Sequence, residues 1–512
     1  MLIKVFGAAV QGIDAYIVTI EASTSRGIKF FLVGLPDNAV KESHERIVSA
    51  LQVNGYKFPS CQIIINMAPA DIRKEGAAYD LPLAIGIMAA AGEMNMSHLD
   101  DYVIMGELSL DGALQPVKGA LSMAIRARSS GFKGMILPSQ NAPEAAVIDG
   151  LEVYGARNIR EVVDLLNDVP GHIEPVPRTD TRFKPESDYP YADFADVKGQ
   201  SAVKRALEVA AAGAHNVIMI GPPGSGKSMM ARAMPSILPP LTEEESIETT
   251  RIHSVAGFTG KGGGLISERP FRHPHHTITN VALTGGGSNG QPGEISLAHN
   301  GLLYLDELPE FTRSALEVLR QPLEDRSIVI SRAKYRVEYP ASFMLVASMN
   351  PCPCGYYNHP TKECHCSPVV IERYLGRVSG PLMDRIDIQC EIQPVGFNDM
   401  SSKASGEHSS EIRERVIAAR NVQARRFADE KGIYCNSQMD SRLLHKYAQA
   451  EPAAIHILGE AMNRLNLSAR AYDRILKVSR TIADMESSET IHPQHIAEAI
   501  GYRSLDRASW GK

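Results

Sequence analysis

One eight-residue segment constrains the fold of this 512-residue chain more than any other. It reads Gly221-Pro222-Pro223-Gly224-Ser225-Gly226-Lys227-Ser228 and matches the pattern G-x-x-x-x-G-K-[ST] at every fixed position. A short apolar strand is predicted before it, at 216–220, and residues 229–234 can open a helix. In that setting backbone N–H groups surround phosphates at a helix N-terminus, Lys227 neutralises the β- and γ-phosphates, and Ser228 ligates Mg²⁺. The flanking strand and helix favour this reading over a chance glycine-rich turn, and they predict an ATP-binding α/β sheet.

A pair of carboxylates follows a second apolar run, at 301–307. Four large residues in succession predict a buried parallel strand that ends in Asp306 and Glu307. Asp306 would hold Mg²⁺ through water, and Glu307 would polarise the attacking water, because in-line hydrolysis needs an oriented nucleophile. The alternative is a strand that simply meets solvent. The phosphate-binding segment upstream favours the catalytic interpretation.

A third predicted strand, 343–348, ends in Met349 and Asn350. Asn350 could position the attacking water beside Glu307, although a polar residue can also just cap a strand. Ligand sites in α/β sheets lie at the carboxyl ends of the strands. We therefore expect the three strand ends to converge on one edge.

Composition excludes several broad classes of protein. Lys and Arg number 53 against 59 Asp and Glu, a net charge of −6, so a histone-like coat on nucleic acid is not expected. No run of 18 apolar residues predicts a membrane span, and the N-terminus lacks the apolar core of a signal peptide. We expect a cytoplasmic protein, in which a disulfide framework is improbable.

Two segments read as linkers. Residues 169–190 hold five prolines and few apolar side chains, and residues 401–410 hold five serines and no large apolar side chain. They predict three units: an N-terminal domain at 1–168, an α/β core at 191–400 and a helical domain at 411–512.

Four of the seven cysteines crowd into fifteen residues, as Cys352, Cys354, Cys364 and Cys366. Two short knuckles of this kind can surround a tetrahedral structural Zn²⁺, although C-x-C is tighter than the usual C-x₂-C. His359 and His365 could substitute as ligands, and reduced thiols or a redox disulfide are the alternatives. A separate histidine run at 273–276 is interrupted by Pro274 and lacks an i, i+4 pair, which favours a structural role over metal binding.

These motifs together resemble the YifB/ComM family of magnesium-chelatase-like AAA+ ATPases. The resemblance covers almost the whole chain, and its most specific part is Arg269-Pro270-Phe271-Arg272-His273-Pro274-His275-His276. The other matching segments are 196–200, 221–228, 301–307, 350–354, 381–386 and 467–470. The resemblance implies an AAA+ core with a helical C-terminal lid.

Further roles follow from the resemblance alone. The segment 196–200, with Val197, resembles the one that lies against adenine. Arg385 resembles the arginine finger that reaches the ATP of a neighbouring subunit, which implies a homo-hexameric ring. Arg470 resembles the second sensor arginine of the lid, with Arg377 and Arg474 as close competitors.

Two insertions resemble elements that face the central pore of related rings. One is the glycine-rich segment 257–264, and the other is a predicted hairpin whose strands are 327–331 and 335–339. Their cationic side chains, Lys261, Arg332, Lys334 and Arg336, would bind a DNA backbone without reading its bases. An ordinary exposed hairpin is the alternative.

Residues 1–168 resemble the S5-like, α+β fold of the Lon protease domain, with one decisive departure. The nucleophile position is Ala78 and the catalytic lysine position is Leu121, so neither nucleophile nor base is present. We expect a non-catalytic binding or assembly module, and the missing dyad speaks against an ATP-dependent protease.

Two functions remain open at this stage. The first is an ATP-driven ring motor on branched or single-stranded DNA, as in the branch-migration helicases that the resemblance implies, with recombination proteins as possible partners. The second is a magnesium-chelatase-type motor subunit that remodels a protein partner. Chelatase motor subunits lack this N-terminal domain and cysteine cluster, which disfavours the second.

Overall fold

The computed structural model describes residues 2–95, 97–178, 192–258, 264–287, 290–332, 335–394, 406–465 and 467–503. Two large sheets organise these residues, a seven-stranded one within 2–156 and a five-stranded one within 217–391. The predicted α/β architecture is therefore confirmed. Across the described ranges, every helix is too short or too polar to span a bilayer.

The N-terminal sheet is mixed, with parallel and antiparallel pairs of strands. The strands of this part of the chain are β1 (Leu2–Gln11), β2 (Asp14–Ser25), β3 (Phe30–Val33), β4 (Gln62–Ala68), β5 (Tyr102–Ile104), β6 (Glu107–Leu108), β7 (Leu114–Gln115), β8 (Gly134–Pro138) and β9 (Glu152–Ala156). The order in the sheet is β3-β4-β2-β1-β5-β8-β9, and β6 and β7 form a separate two-stranded ribbon. In β2 the side chains of Val18, Ile20 and Ala22 are buried, while Thr19 and Glu21 between them are partly exposed. This period of two is what a sheet with one covered face requires.

Helices pack against that sheet. They are Asn38–Lys41, Ser43–Val53, Asp80–Ala90, Ala120–Ser129, Ala142–Ala145 and Ile159–Leu166, with a 3₁₀ turn at Ala77–Tyr79. Every residue of Asp80–Ala90 is buried, as expected of a helix that is apolar all round. The sequence predicts one helix over 118–129, but the helix begins at Ala120, because Gly119 takes a left-handed conformation at φ 77° and leaves Lys118 outside it.

The second sheet is parallel throughout. Its order is β11-β14-β17-β10-β18, and the strands of this part of the chain are β10 (Val217–Ile220), β11 (Phe271–Arg272), β12 (Gly285–Gly286), β13 (Gln291–Pro292), β14 (Leu302–Leu305), β15 (Ser327–Arg332), β16 (Tyr335–Pro340), β17 (Met344–Met349) and β18 (Ile388–Glu391). Strands β10, β14 and β17 are neighbours and run in the same direction. Their carboxyl ends therefore lie at one edge, as the sequence predicts.

Helices surround this sheet and continue to the C-terminal part of the chain. Those within 192–394 are Ser201–Gly213, Lys227–Ile237, Glu243–Ala256, Asn280–Thr284, Glu294–Leu297, Arg313–Val318, Pro322–Asp325, Pro368–Leu375 and Gly380–Met383, with 3₁₀ turns at Phe194–Asp196 and Leu308–Glu310. Those within 406–503 are Ser409–Arg426, Ser441–Tyr447, Pro452–Leu465, Ala469–Met485 and Pro493–Gly501, with a 3₁₀ turn at Asn436–Gln438.

The C-terminal helices share a hydrophobic core with the five-stranded sheet. Val416 and Ile482, from two of these helices, are fully buried in the same cluster as Leu207 and Val217. At roughly 1.5–3 kcal/mol per buried aliphatic side chain, such a shared core holds the helices firmly on the sheet.

The N-terminal part contacts helix Glu243–Ala256 and the β15–β16 hairpin. The Arg251 guanidinium, on Glu243–Ala256, donates to the carbonyl of Ile13 at 2.9 Å and pairs with Asp14 at 2.8 Å. The N–H of Gly119 donates to the carbonyl of Ser254 at 3.2 Å. Gly12, which lies in the same turn as Ile13, packs so closely on Val337 that an added Cβ would lie 2.6 Å from a methyl group. The β1–β2 turn thus touches both Glu243–Ala256 and the β15–β16 hairpin.

Candidate nucleotide site and pore elements

The predicted phosphate loop, residues 221–228, comprises the loop after β10 and the first two residues of helix Lys227–Ile237. Gly224 and Gly226 have φ values of 76° and 89°, and a Cβ on either would meet nothing within 4 Å. Backbone conformation rather than lack of space therefore requires glycine at both positions. The Ser225 hydroxyl donates to the carbonyl of Pro222 at 2.8 Å and closes the loop.

Lys227 points its ammonium group into this loop. Nζ donates to the carbonyls of Gly221 at 2.7 Å and Pro222 at 2.8 Å, and to Oδ1 of Asn350 at 3.2 Å. Burial lowers the pKa of Lys227 to about 8, against the opposing effect of Asp306 and Glu307. The lysine is thus a buried cation held at the point where the sequence predicts the phosphates.

Asp306 follows β14 and is held by hydroxyl groups. Ser228 Oγ donates to its Oδ2 at 2.9 Å, and Ser348 Oγ donates to its Oδ1. Burial alone would raise the pKa of Asp306, but the hydrogen bonds from Ser348 and Ser228 outweigh it and keep that pKa below its usual value. The ionised carboxylate and the Ser228 hydroxyl form an all-oxygen site of the kind that Mg²⁺ prefers. The role of Ser348 is not visible in the sequence, because one serine within an apolar strand carries no signal.

Glu307 is the next residue and takes a left-handed backbone conformation, with φ 54°. This conformation costs a non-glycine residue about 1 kcal/mol and is common at functional sites. The Glu307 N–H donates to Oδ1 of Asp306 at 3.1 Å, while its carboxylate is 57% exposed. Water can therefore reach this carboxylate, as a water-polarising residue requires. The structure brings Lys227, Ser228, Asp306 and Asn350 together around the same strand ends.

The histidine run lies beside this site because β11 pairs with β14. Phe271 lies opposite Leu302 and Arg272 opposite Leu303 in a parallel register. Four residues later, Nδ1 of His276 lies 3.7 Å from Oε2 of Glu307. Among the described residues, no metal-ligand cluster includes these histidines, and the sequence did not predict the contact with Glu307.

Comparison with known proteins decides the family. Residues 193–400 match the family described as magnesium chelatase, subunit ChlI, and residues 406–503 match its C-terminal family. Residues 20–141 match the family described as subunit ChlI of Mg-chelatase, so the N-terminal domain does not by itself distinguish this chain from chelatase subunits. Competence protein ComM of Haemophilus influenzae is 41% identical over 508 residues, which cover 98% of this chain and 97% of that protein. The chain belongs to the YifB/ComM family of magnesium-chelatase-like AAA+ proteins.

Two further relatives agree with this assignment. The uncharacterized protein YifB of Salmonella typhimurium is 42% identical over 503 residues, covering 98% of this chain and 96% of that protein. Lon protease 2 of Bacillus subtilis is 32% identical over 126 residues, 24% of this chain and 22% of that protein. The predicted Lon-like N-terminus is therefore confirmed. Membership in the YifB/ComM family makes the chain an AAA+ ATPase that uses ATP and Mg²⁺.

Arg385, the predicted arginine finger of this family member, is tied to its own chain. Its side chain is buried, donates to the carbonyl of Pro381 at 2.6 Å and pairs with Glu324 at 2.6 Å. Arg377 is half exposed and pairs at 3.1 Å with Glu310, which follows shortly after Asp306 and Glu307. Nothing in the sequence pattern indicates the Glu324 partner, which comes from a different helix.

The two candidate lid arginines differ in whether their side chains are already paired. Arg470 is exposed in the first turn of Ala469–Met485, where Ser468 caps the helix. Arg474, one turn later, forms an ion pair with the buried Asp387 beside β18. Val197, the predicted adenine contact, is buried at the end of the 3₁₀ turn Phe194–Asp196. Arg470 is thus exposed while Arg474 is engaged in an ion pair.

The four clustered cysteines converge in space. Their Sγ atoms all lie within 4.8 Å of one another, and Cys352 is 3.3 Å from Cys354 and 3.7 Å from Cys364. His359 instead accepts hydrogen bonds from the N–H groups of Thr361 and Lys362. The cluster is completed by Cys366.

The cysteine knuckle packs against the phosphate loop. A Cβ added to Gly355, which has φ 82°, would lie 2.4 Å from the ring of Pro223. Cys352 also follows Asn350 after only one intervening residue. The cluster therefore adjoins both the phosphate loop and the end of β17.

The predicted hairpin is present. Strands β15 and β16 pair in antiparallel register from Ser327 opposite Pro340 to Arg332 opposite Tyr335. Arg332 and Arg336 are exposed near its tip. The other two predicted DNA contacts, Lys261 and Lys334, lie outside the described residues.

A cavity of about 1110 Å³ lies between the Lon-like part and the hairpin. Ala78 and Lys118 line one side, and Val337 and Tyr339 of β16 line the other. Leu121, at the position of the Lon catalytic lysine, is fully buried. At the position of the Lon nucleophile, the methyl side chain of Ala78 offers no nucleophilic atom.

Proposed function

We propose that this YifB/ComM family member is an ATP-hydrolysing ring motor that acts on DNA, as a branch-migration helicase does. The observation that supports the proposal is the β15–β16 hairpin, whose Arg332 and Arg336 are exposed and belong to the same AAA+ core as the predicted ATP-site residues. Guanidinium groups on a hairpin bind phosphates without reading bases. A relative that covers nearly the whole chain is named a competence protein, which fits a role in DNA handling.

The ATP site would work through residues that already lie together. Lys227 would exchange its carbonyl partners for the β- and γ-phosphates, and Ser228 with Asp306 would hold Mg²⁺, which neutralises charge on those phosphates. Glu307 would orient and polarise the attacking water, with Asn350 beside it on the neighbouring strand. Backbone groups of the phosphate loop, together with Val197 near the adenine, would bind the rest of the nucleotide.

Assembly follows from the arginines. Arg385 would serve the ATP of the neighbouring subunit in a homo-hexamer, which requires it to leave Glu324. A guanidinium can make this exchange because it stays charged and bridges phosphate oxygens as readily as carboxylates. Arg470, exposed on the first turn of its helix, would close on the γ-phosphate from the lid. Hydrolysis would then depend on contact between subunits.

We further propose that Cys352, Cys354, Cys364 and Cys366 hold a structural Zn²⁺. Four thiolates at the usual Zn–S distance of about 2.3 Å lie about 3.8 Å apart at the corners of a tetrahedron. The sulfur separations of 3.3–3.7 Å among the first three are close to that value and far longer than a disulfide bond. Four protein ligands would leave no open position, so the metal would support the knuckle against Pro223.

The proposed domain organisation is a non-catalytic Lon-like unit at 1–168, a linker at 169–190, the ATPase core at 191–400, a linker at 401–410 and the helical lid at 411–512. Helix Ser409–Arg426 begins two residues before the proposed lid boundary.

DNA-stimulated ATP hydrolysis tests the proposal. The wild-type rate should rise when single-stranded or branched DNA is added. A double variant, Arg332→Ala with Arg336→Ala, should keep its basal rate and lose most of the stimulation. Arg464→Ala, an exposed arginine on Pro452–Leu465, is the matched control and should be stimulated normally. A basal rate that no DNA changes would refute the DNA motor and favour a motor for a protein partner.

A further inference from the structure

The segment 269–276 connects an insertion of the ATPase core to its catalytic edge. Its first arginine, Arg269, is anchored by a bidentate pair with Glu245 at 2.8 and 3.1 Å. Arg272 is fixed by two bonds of 2.6 Å to Glu294, and its guanidinium lies 5.9 Å from the ring centre of Phe258. Ion pairs therefore hold both arginines at the start of this segment in place.

The end of the same segment lies on the Glu307 side of the sheet. The ring of His273 lies 4.7 Å from that of Tyr304, on β14, and the ring centres of His275 and His276 lie 4.1 Å apart at an interplanar angle of 33°. His276 also contacts Phe311 edge-on at 6.4 Å. These contacts fix the orientation of the His276 ring, so that its Nδ1 atom faces Glu307 at 3.7 Å.

Glu307 needs such a partner. Its carboxylate is more than half exposed, and its backbone is in the strained left-handed region. An exposed glutamate samples several rotamers, whereas polarising a water requires one orientation, and loss of that orientation costs rate. The N–H of Glu307 fixes the backbone through Asp306, but it leaves the side chain free to turn.

We propose that His276 is a positioning residue that holds the Glu307 carboxylate towards the attacking water. The proposal rests on the proposed role of Glu307 in ATP hydrolysis.

The test compares steady-state ATP hydrolysis of variants purified as the full chain. His276→Ala should lower kcat by about tenfold or more while the KM for ATP changes little, because phosphate binding does not involve this ring. His276→Asn should recover part of kcat, since its amide nitrogen can approach the position of Nδ1. A merely structural role would not be rescued in this way.

A matched control is His456→Ala, which removes an exposed imidazole 3.9 Å from Glu460 on a remote helix and should behave as wild type. Glu307→Gln separates the two ideas. If Glu307→Gln is inactive but His276→Ala has wild-type kcat, the positioning role is refuted while the catalytic role of Glu307 stands. If Glu307→Gln hydrolyses ATP normally, the proposed catalytic site itself is wrong. A faster basal rate in His276→Ala would also overturn the proposal, because it would show restraint rather than support.

Discussion

The buried ammonium group of Lys227 should make nucleotide affinity depend on pH. Its pKa of about 8 means that the free protein loses this charge above pH 8. Bound phosphates would keep the lysine protonated, so that binding above pH 8 must take up a proton. Affinity is therefore full below pH 8 and falls as pH rises through that value.

The size of the effect follows from the same pKa. Between pH 7 and pH 9.5 the protonated fraction of a group with a pKa of about 8 falls about 30-fold, which corresponds to about 2 kcal/mol of binding free energy. A fluorescent ADP analogue with Mg²⁺, titrated with protein and followed by anisotropy, gives the Kd at each pH. We expect the Kd to be flat below pH 7.5 and to approach a tenfold rise per pH unit above pH 8.5.

Lys227→Arg supplies the control, because a guanidinium remains charged over this range. Whatever its affinity, the Kd of this variant should not change between pH 7 and pH 9.5. A wild-type Kd that is equally flat would show that the ammonium group keeps its charge, and it would refute the inference that burial inside the phosphate loop controls it.

Three other consequences of the structure can be tested separately. Purified protein should hold about one zinc per chain. Cys364→Ser should lose the metal and bind nucleotide more weakly, because the cysteine knuckle packs on Pro223. A folded, metal-free wild-type protein with normal nucleotide affinity would contradict both the zinc site and its effect on the phosphate loop. Arg385→Ala should cut hydrolysis by about 10³-fold with little loss of binding, and co-assembled mixtures with Lys227→Ala should regain activity; mixtures that stay inactive would argue against a finger in trans. Arg251→Ala should weaken docking of the Lon-like part by about 1 kcal/mol and speed hydrogen exchange at the Gly119 amide, which bonds across the same junction; unchanged exchange would show that the junction does not depend on this arginine.

Much of the sheet edge could be predicted from the sequence because its signals are local. A stretch of fewer than ten residues is enough to predict each of three elements: the strand before Gly221, the helix that starts at Lys227 and the apolar strand before Asp306. The β15–β16 hairpin is of the same kind, since its two strands are consecutive along the chain. Parallel strands with polar ends then place these residues together.

Contacts between distant segments could not be predicted in this way. His276 reaches Glu307 only because the two-residue strand β11 adds to β14, and two residues show no periodicity. The partner of Arg385 is Glu324, from a helix 61 positions earlier, and no pattern links the two. The hydroxyl of Ser348 on Asp306 depends likewise on the register of β14 and β17.

The helix boundary at Ala120 shows a different limit. Residues 118–129 read as one helix because nothing in the local pattern excludes Lys118. The left-handed Gly119 prevents the helix from starting before Ala120. The N–H of Gly119 donates a hydrogen bond to the carbonyl of Ser254, which lies in the ATPase core. A tertiary contact thus overrides local propensity.

Movement of a DNA branch is the measurement that tests the central claim most directly. A three-strand or four-strand branched DNA with one labelled strand would be incubated with the wild-type protein, Mg²⁺ and ATP, and the release of the labelled strand followed by gel electrophoresis. We predict release that requires ATP and that is lost in Glu307→Gln and in the Arg332→Ala, Arg336→Ala double variant. A wild-type preparation that hydrolyses ATP but leaves every branched substrate intact would contradict the proposal that this ATPase is a DNA motor.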